Sequence, residues 1–217
     1  MTVTYSHTII WALRLICRIK WNINGTENLP KDGRGYVIVS KHQSTWETFF
    51  IATLLYPQVP VVKAELSYLP IFGWILTMIQ PIWIDRNKKT NALKQVVVQG
   101  KERLHEGISV MVFPEGTRVQ PGQRKIFSKG AALLATSANA PVIAVAHNSG
   151  EYWSNSSWIK QPGTIQVVIS PIIETNNLST KEVNAELENW INTTVDKIST
   201  VVFSGEYSLA DSSGKRF

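Results

Sequence analysis

Two short stretches of this chain combine residue types that could do chemistry. The first is Lys41-His42-Gln43-Ser44-Thr45-Trp46-Glu47. An imidazole moves protons near neutral pH. A carboxylate accepting its Nδ1–H would fix the tautomer, leave Nε2 free as a base and stabilise the imidazolium that forms. Within one continuous α-helix His42 and Glu47 would point about 140° apart. They meet only if His42 lies in a loop and the helix begins around Ser44. Ser44-x-x-Glu47 also reads as a capping box, in which the carboxylate bonds backbone. A carboxylate has two oxygens, and spacing alone leaves both roles open.

The second stretch is Phe113-Pro114-Glu115-Gly116-Thr117-Arg118. Pro and Gly turn the chain sharply, and Gly116 lets backbone approach a ligand closely. Arg118 would present a planar donor fork suited to phosphate. Arg124, Lys125 and Lys129 add positive charge nearby. Taken alone, the stretch reads equally as a basic surface loop. There is no G-x-S-x-G elbow, P-loop or H-E-x-x-H, and the single cysteine, Cys17, sits among apolar residues as a poor nucleophile. Nothing resembles a recognition helix or an RNA-binding strand, so nucleic acid is not an expected partner.

Both stretches follow apolar runs. Tyr36–Ser40 and Ile108–Phe113 read as buried strands, Val59–Val62 as a weaker one, and Val142–Ala146 and Ile165–Ile169 as two more. A histidine at the carboxyl end of a parallel strand lies where α/β sheets place their ligands. Between the strands, Asn91–Glu106 reads as a helix with Thr90 as N-cap and Gly107 as its stop. Ser128 reads as the cap of a helix through Ala131, Leu134 and Ala135. Ser179-x-x-Glu182 is a capping box opening a helix whose apolar face is Val183, Leu187, Trp190, Ile191 and Ile198. Strands alternating with helices imply an α/β fold, a largely parallel mixed sheet flanked by helices.

Two apolar segments stand apart. Thr8–Trp21 contains Arg14 and Arg18 and reads as an amphipathic helix, with Ile9, Leu13, Ile16 and Cys17 on one face, suited to a membrane interface or to docking on its own domain. Leu66–Ile84 carries no charge, but Pro70, Gly73 and Pro81 interrupt it; it reads as a short helix, in the core or dipping into lipid, then a strand ending near Ile84. No secretory signal pattern is visible. The 217 residues suit one domain: 1–25 as an N-terminal membrane-associated helix, 26–203 as the main domain, 204–217 as a polar tail. Charged residues make up 18% and hydrophobic ones 44%, which excludes a disordered chain. One cysteine excludes an intramolecular disulfide framework, and with four histidines it argues against a zinc cluster. A net charge of +6 suits an anionic partner; the eight tryptophans suit either a lipid boundary or a core.

Taken together, the two stretches resemble the glycerolipid acyltransferase family, specifically its bacterial 1-acyl-sn-glycerol-3-phosphate acyltransferases. That family carries H-x4-D followed by F-P-E-G-T-R. Here the second motif is complete at Phe113–Arg118, and the first stands as His42-x4-Glu47. Between them lie Lys63-Ala64-Glu65-Leu66 and Ile84-Asp85-Arg86, and later Pro141–Val145 with His147-Asn148-Ser149-Gly150. The resemblance spans about Val37 to Gly150. It implies that His42 acts as general base on the 2-hydroxyl of a lysophosphatidic acid, oriented by Glu47. The oxygen then attacks the thioester of an acyl-carrier protein or acyl-CoA, with no acyl-enzyme, no cofactor and no metal. It implies that Lys63 and Arg118 hold the phosphate, with Glu115, Gly116 and Thr117 shaping that loop. It further implies a peripheral or monotopic place on the cytoplasmic face of the cell membrane. Alternatives are another lyso-lipid acceptor, a hydrolase, or a non-catalytic protein that binds anionic lipid. Glu47 departs from the family's Asp by one methylene, so either the backbone sits further off or the side chain folds.

Overall fold

The computed structural model describes residues 2–69, 72–85, 89–205 and 207. Its centre follows from three apolar strands, β2 (Val37–Ser40), β5 (Ser109–Val112) and β6 (Val142–His147), in which every residue is buried. Side chains alternate across a strand. Val37, Val39, Val110, Val112, Val142 and Ala144 therefore pack on one face of the sheet, and Ile38, Met111, Ile143 and Val145 on the other. β2 pairs in parallel with both neighbours, Val37 opposite Val110 and Val142. Parallel strands covered on both faces read as unbroken apolar runs.

Around them lie β1 (Ile19–Asn24), β3 (Gln58–Lys63), β4 (Ile82–Ile84) and β7 (Gly163–Ile169), giving the seven-stranded order β1-β7-β6-β2-β5-β3-β4. The sheet is mixed: β7 runs antiparallel to β6, and β1 pairs in parallel with β7. Helices α1 (Thr2–Ile16) and α2 (Trp46–Leu54) lie on the Ile38–Met111 face. Helices α4 (Lys89–His105), α5 (Gly130–Ala138) and α6 (Thr180–Ile198) cover the other. Between β3 and β4 the chain forms a 3-10 helix, Ala64–Tyr68, and α3 (Phe72–Met78). Leu66–Ile84 is thus a short helix and a strand, as its prolines and glycine imply; Pro70 and Arg86 lie outside the described residues.

The helix termini show local chemistry at work. Ser179 and Glu182 form the expected reciprocal cap of α6, and Val183, Leu187 and Ile191 are its buried stripe. Gly107, at φ 73, follows α4, and Asn139, at φ 48, ends α5 by donating its N–H to the carbonyls of Ala135 and Thr136.

Several expectations are corrected. The N-terminal helix is Thr2–Ile16, not Thr8–Trp21: Arg18 adopts a left-handed φ of 53, and Ile19, Trp21 and Ile23 then alternate as β1. Residues 19–24 therefore belong to the sheet. The helix packs through buried Ser6 and Ile10, with Leu13 and Cys17 of the expected apolar face against the same core, whereas Ile16 of that face is exposed. α4 starts at Lys89, so Thr90 lies inside it rather than capping it. Ser128 does not cap α5: Lys129 holds that position without a side-chain cap, and the Ser128 N–H is spent on the Pro114 carbonyl. The expected tail lies outside the described residues beyond residue 207.

Candidate active site

The adjacency of β2 and β5 brings the two sequence stretches together at their carboxyl ends. The Phe113–Val119 segment grips the His42 backbone from both sides. The His42 N–H donates to Glu115 Oε2 (2.8 Å), and the Val119 N–H donates to the His42 carbonyl (2.8 Å). The buried Lys41 ammonium donates to Glu115 Oε1. Burial pushes the Glu115 carboxyl up, while Lys41 and the His42 N–H oppose that rise. Glu115 is therefore a buried strut beneath the loop. The Phe113 ring stacks on the imidazole of His42, centroids 4.0 Å apart and planes 15° apart, which sets the plane in which the imidazole lies.

Glu47, in the first turn of α2, is buried and surrounded by donors. Its Oε1 accepts from His42 Nδ1 and from the N–H groups of Gln43 and Ser44, each at 2.9 Å. Its Oε2 accepts from the hydroxyls of Ser44 and Ser149, the latter at 2.9 Å. The carboxylate thus serves both the imidazole and the backbone, the two roles that spacing left open. Burial alone would raise its pKa; the hydrogen bonds from His42 and Ser44, with the imidazoles nearby, outweigh it and hold the carboxyl at about 2 against an ordinary 4.5. His147 is a bracket behind this pair. Burial depresses its pKa, and its Nε2–H donates to the Lys41 carbonyl at 2.8 Å. With Nδ1 of His42 engaged by Glu47, Nε2 is the nitrogen left for a substrate proton.

His42 opens onto a cavity of ≈ 610 Å³ that Lys63, Gly116 and Arg118 also line. That volume falls within the range of small-molecule sites. Its remaining wall is mostly apolar, with Phe49 and Ala52 from α2, Val61 from β3, Leu76 from α3, and Met111 and Phe113 from β5 and its end. Gly116 turns at φ 69. Arg118 donates from Nη1 to Asn155 Oδ1 (2.8 Å), while its Nε has no partner among the described residues. Lys63 lies 3.1 Å from Glu65. The structure thus brings His42, Lys63, Gly116 and Arg118 to one wall, places Glu47 behind His42 and Glu115 beneath the loop, and leaves half-buried Thr117 off the cavity lining. Among the described residues no group of three His, Cys, Asp or Glu side chains could hold a metal.

The sequence model of the Acyltransferase family matches residues 20–148, more than half of the chain and inclusive of both motifs. The chain belongs to the acyltransferase family. It is 45% identical over 195 residues to the 1-acyl-sn-glycerol-3-phosphate acyltransferase of Pseudomonas aeruginosa, covering 88% of this chain and 75% of that one. The enzyme of the same name from Saccharomyces cerevisiae is 27% identical over 89% of this chain, which spans 64% of its length. Among solved structures, the 1-acyl-sn-glycerophosphate acyltransferase of Thermotoga maritima superposes with a TM-score of 0.76 at 22% identity, covering 91% of this acyltransferase and 80% of its own chain. That likeness establishes the shared fold.

Lys41, His147, Ser149 and Asn155 carried no role in the sequence reading. Ser149 lies in the His147–Gly150 run already noted, and Lys41 directly precedes His42. Asn155 sits in a loop with no motif, so only the folded chain reveals its contact.

Two outcomes follow from the Glu47 cage. Glu47→Gln removes the anionic acceptor of Nδ1–H and is expected to lower turnover by about 10²–10⁴-fold, whereas Glu47→Asp retains part of it. Wild-type turnover in Glu47→Gln would assign Glu47 to capping alone. Because the folded carboxyl titrates below its unfolded value, its stabilisation is complete above about pH 4.5 and is lost as pH falls toward about 2. The difference in unfolding free energy between wild type and Glu47→Gln should therefore narrow across that window in denaturant titrations. A difference that stays constant as the pH falls through it would contradict the cage.

Proposed function

We propose that this acyltransferase esterifies the 2-hydroxyl of 1-acyl-sn-glycerol 3-phosphate with a fatty acyl group from a thioester, acyl-carrier protein or acyl-CoA, releasing phosphatidic acid and the free thiol. The observation that carries the reading is the shared cavity: His42, a base held by a buried carboxylate, and the side chain of Arg118 line one space. The phosphate binds Arg118, with Lys63 adding charge as it exchanges Glu65 for the ligand. The hydroxyl then meets His42 Nε2. As that nitrogen takes the proton, the oxygen adds to the thioester carbonyl. Collapse of the tetrahedral intermediate expels the thiolate, which the imidazolium reprotonates. Glu47 stabilises the imidazolium through Nδ1. Proton relay of this kind is worth about 10²–10⁴-fold, and holding hydroxyl against thioester adds a proximity term. The apolar wall receives a fatty chain.

The enzyme works at a membrane surface on this reading. Among the described residues no helix is long and apolar enough to cross a bilayer. Instead, three tryptophans protrude: Trp11 of α1 (61% exposed), Trp74 of α3 (71%) and Trp158 (99%). The other five are buried or half-buried. Exposed Trp beside basic residues favours the lipid–water boundary, and Leu15 and Ile16 extend the α1 surface.

The test is acyl transfer to lysophosphatidic acid. His42→Ala should lower kcat by about 10²–10⁴-fold. Arg118→Ala should mainly raise KM for the acceptor, by about 10–100-fold, the worth of a hydrogen bond to a charged group. Free fatty acid formed at the same rate without acceptor would make the enzyme a hydrolase. Anionic-lipid binding with no transfer in the wild type would leave only a binding protein.

A further inference from the structure

The chain between the 3-10 turn at Ser149–Glu151 and β7 leaves the body of the protein and returns. Its base is closed by the Gln161 N–H donating to the Tyr152 carbonyl (2.8 Å), with Gly163 N bonded to the Arg18 carbonyl (3.3 Å) directly after α1. Tyr152 and Trp153 at the base pack on the α1–α2 side of the sheet. The excursion is a self-supported surface loop. The Ser156 N–H donates to Ser154 Oγ, the Ile159 N–H to Ser157 Oγ (3.1 Å), and Lys160 Nζ to the Ser157 carbonyl (2.8 Å). Held this way, Trp158 and Ile159 point to solvent, 99% and 72% exposed. Among the described residues no element covers them, although an exposed Trp is costly in water.

We propose that residues 153–160 form a lipid-contacting loop, in which Trp158 and Ile159 enter the headgroup region of an anionic bilayer while Asn155 steadies Arg118 at the mouth of the cavity. Charge selects the partner. Lys160 stacks over Trp153 (5.1 Å) and Arg14 over Trp21 (5.3 Å), so cations flank the aromatic residues around the loop base and α1, and the chain carries +6 overall. Basic residues beside Trp and Ile match an anionic lipid surface. Position supports the same partner. The loop root adjoins the end of α1, where Leu15 and Ile16 are exposed, so the two apolar projections share one side of the sheet with the cavity. Asn155 Oδ1 links the loop to the cavity wall, accepting from Arg118 Nη1. Asn155 acts through Arg118 and is a positioning residue; this half of the proposal rests on the reading of Arg118 as the phosphate partner.

The experiment is sedimentation of the full chain with vesicles of equal parts phosphatidylglycerol and phosphatidylcholine, beside pure phosphatidylcholine vesicles. The double variant Trp158→Ser/Ile159→Ser is compared with Val98→Ser, a half-exposed apolar residue of α4 on the opposite face of the sheet. The loop variant should bind anionic vesicles at least about tenfold more weakly than wild type. Val98→Ser should bind as wild type does, with both variants melting near the wild-type temperature. Wild-type affinity in the loop variant, or an equal loss in Val98→Ser, would overturn the lipid contact; the first result would point to a protein partner. A second arm uses short-chain lysophosphatidic acid dissolved as monomer. Asn155→Asp places a carboxylate in competition with phosphate for Arg118 and should raise acceptor KM several-fold more than Asn155→Ala, with kcat little changed. KM equal to wild type in both would overturn the link to Arg118. Vesicle binding is read without catalysis, so a wild type that bound vesicles but transferred no acyl group would count against the proposed reaction alone.

Discussion

The backbone of one residue, His42, is held by a segment far away in sequence, and the site depends on that hold. The N–H and carbonyl of His42 are both spoken for by the Phe113–Val119 turn, through Glu115 and Val119. A buried backbone group needs a partner, so neither motif can shift without orphaning the other. Lys41 completes the arrangement by neutralising the buried Glu115 that makes the first bond. His42 and Arg118 are thereby tied to one frame, set by the β2–β5 register. Catalysis by positioning needs such a frame, because displacements of an ångström are felt in rate.

A second layer of positioning acts on the carboxylate. In the first turn of α2, Glu47 benefits from the helix N-terminus, and its longer side chain folds back to reach Nδ1 of His42 and the N–H groups of Gln43 and Ser44. Ser149 closes the cage from the far end of β6, so three consecutive sheet neighbours, β5, β2 and β6, each contribute a residue to His42 or to its partner.

Much of this was legible in the residues. Unbroken Val and Ile runs identify β2, β5 and β6 because burial on both faces leaves no polar alternation. Ser179 and Glu182 mark α6 because capping is local. What was misread depended on competition between local signals or on distant partners. Ile19, Trp21 and Ile23 carry a period of two, yet the preceding apolar helix made Arg14 and Arg18 look like one helical face. The left-handed turn at Arg18, which separates the two, has no glycine to announce it. Ser128 looked like a cap because a serine stands just before the helix, but the N-cap position falls one residue later, on Lys129, without a side-chain bond. Asn155 has no sequence signature at all, since its contact exists only once β6 and β5 lie in one sheet.

The two faces of the sheet are unequal. α4, α5 and α6 close one side, whereas the other carries the cavity together with α1 and the Trp158 loop. This asymmetry suits an enzyme whose substrate and product live in a bilayer. The central claim remains that His42 and Arg118 address two ends of one small anionic lipid. A crystal structure with lysophosphatidic acid bound tests it most directly. The account predicts the 2-hydroxyl oxygen at about 2.6–3.2 Å from His42 Nε2, with the phosphate on the Arg118 guanidinium of the same molecule. A phosphate seated away from Arg118, or a hydroxyl turned from the imidazole while the phosphate is bound there, would contradict it.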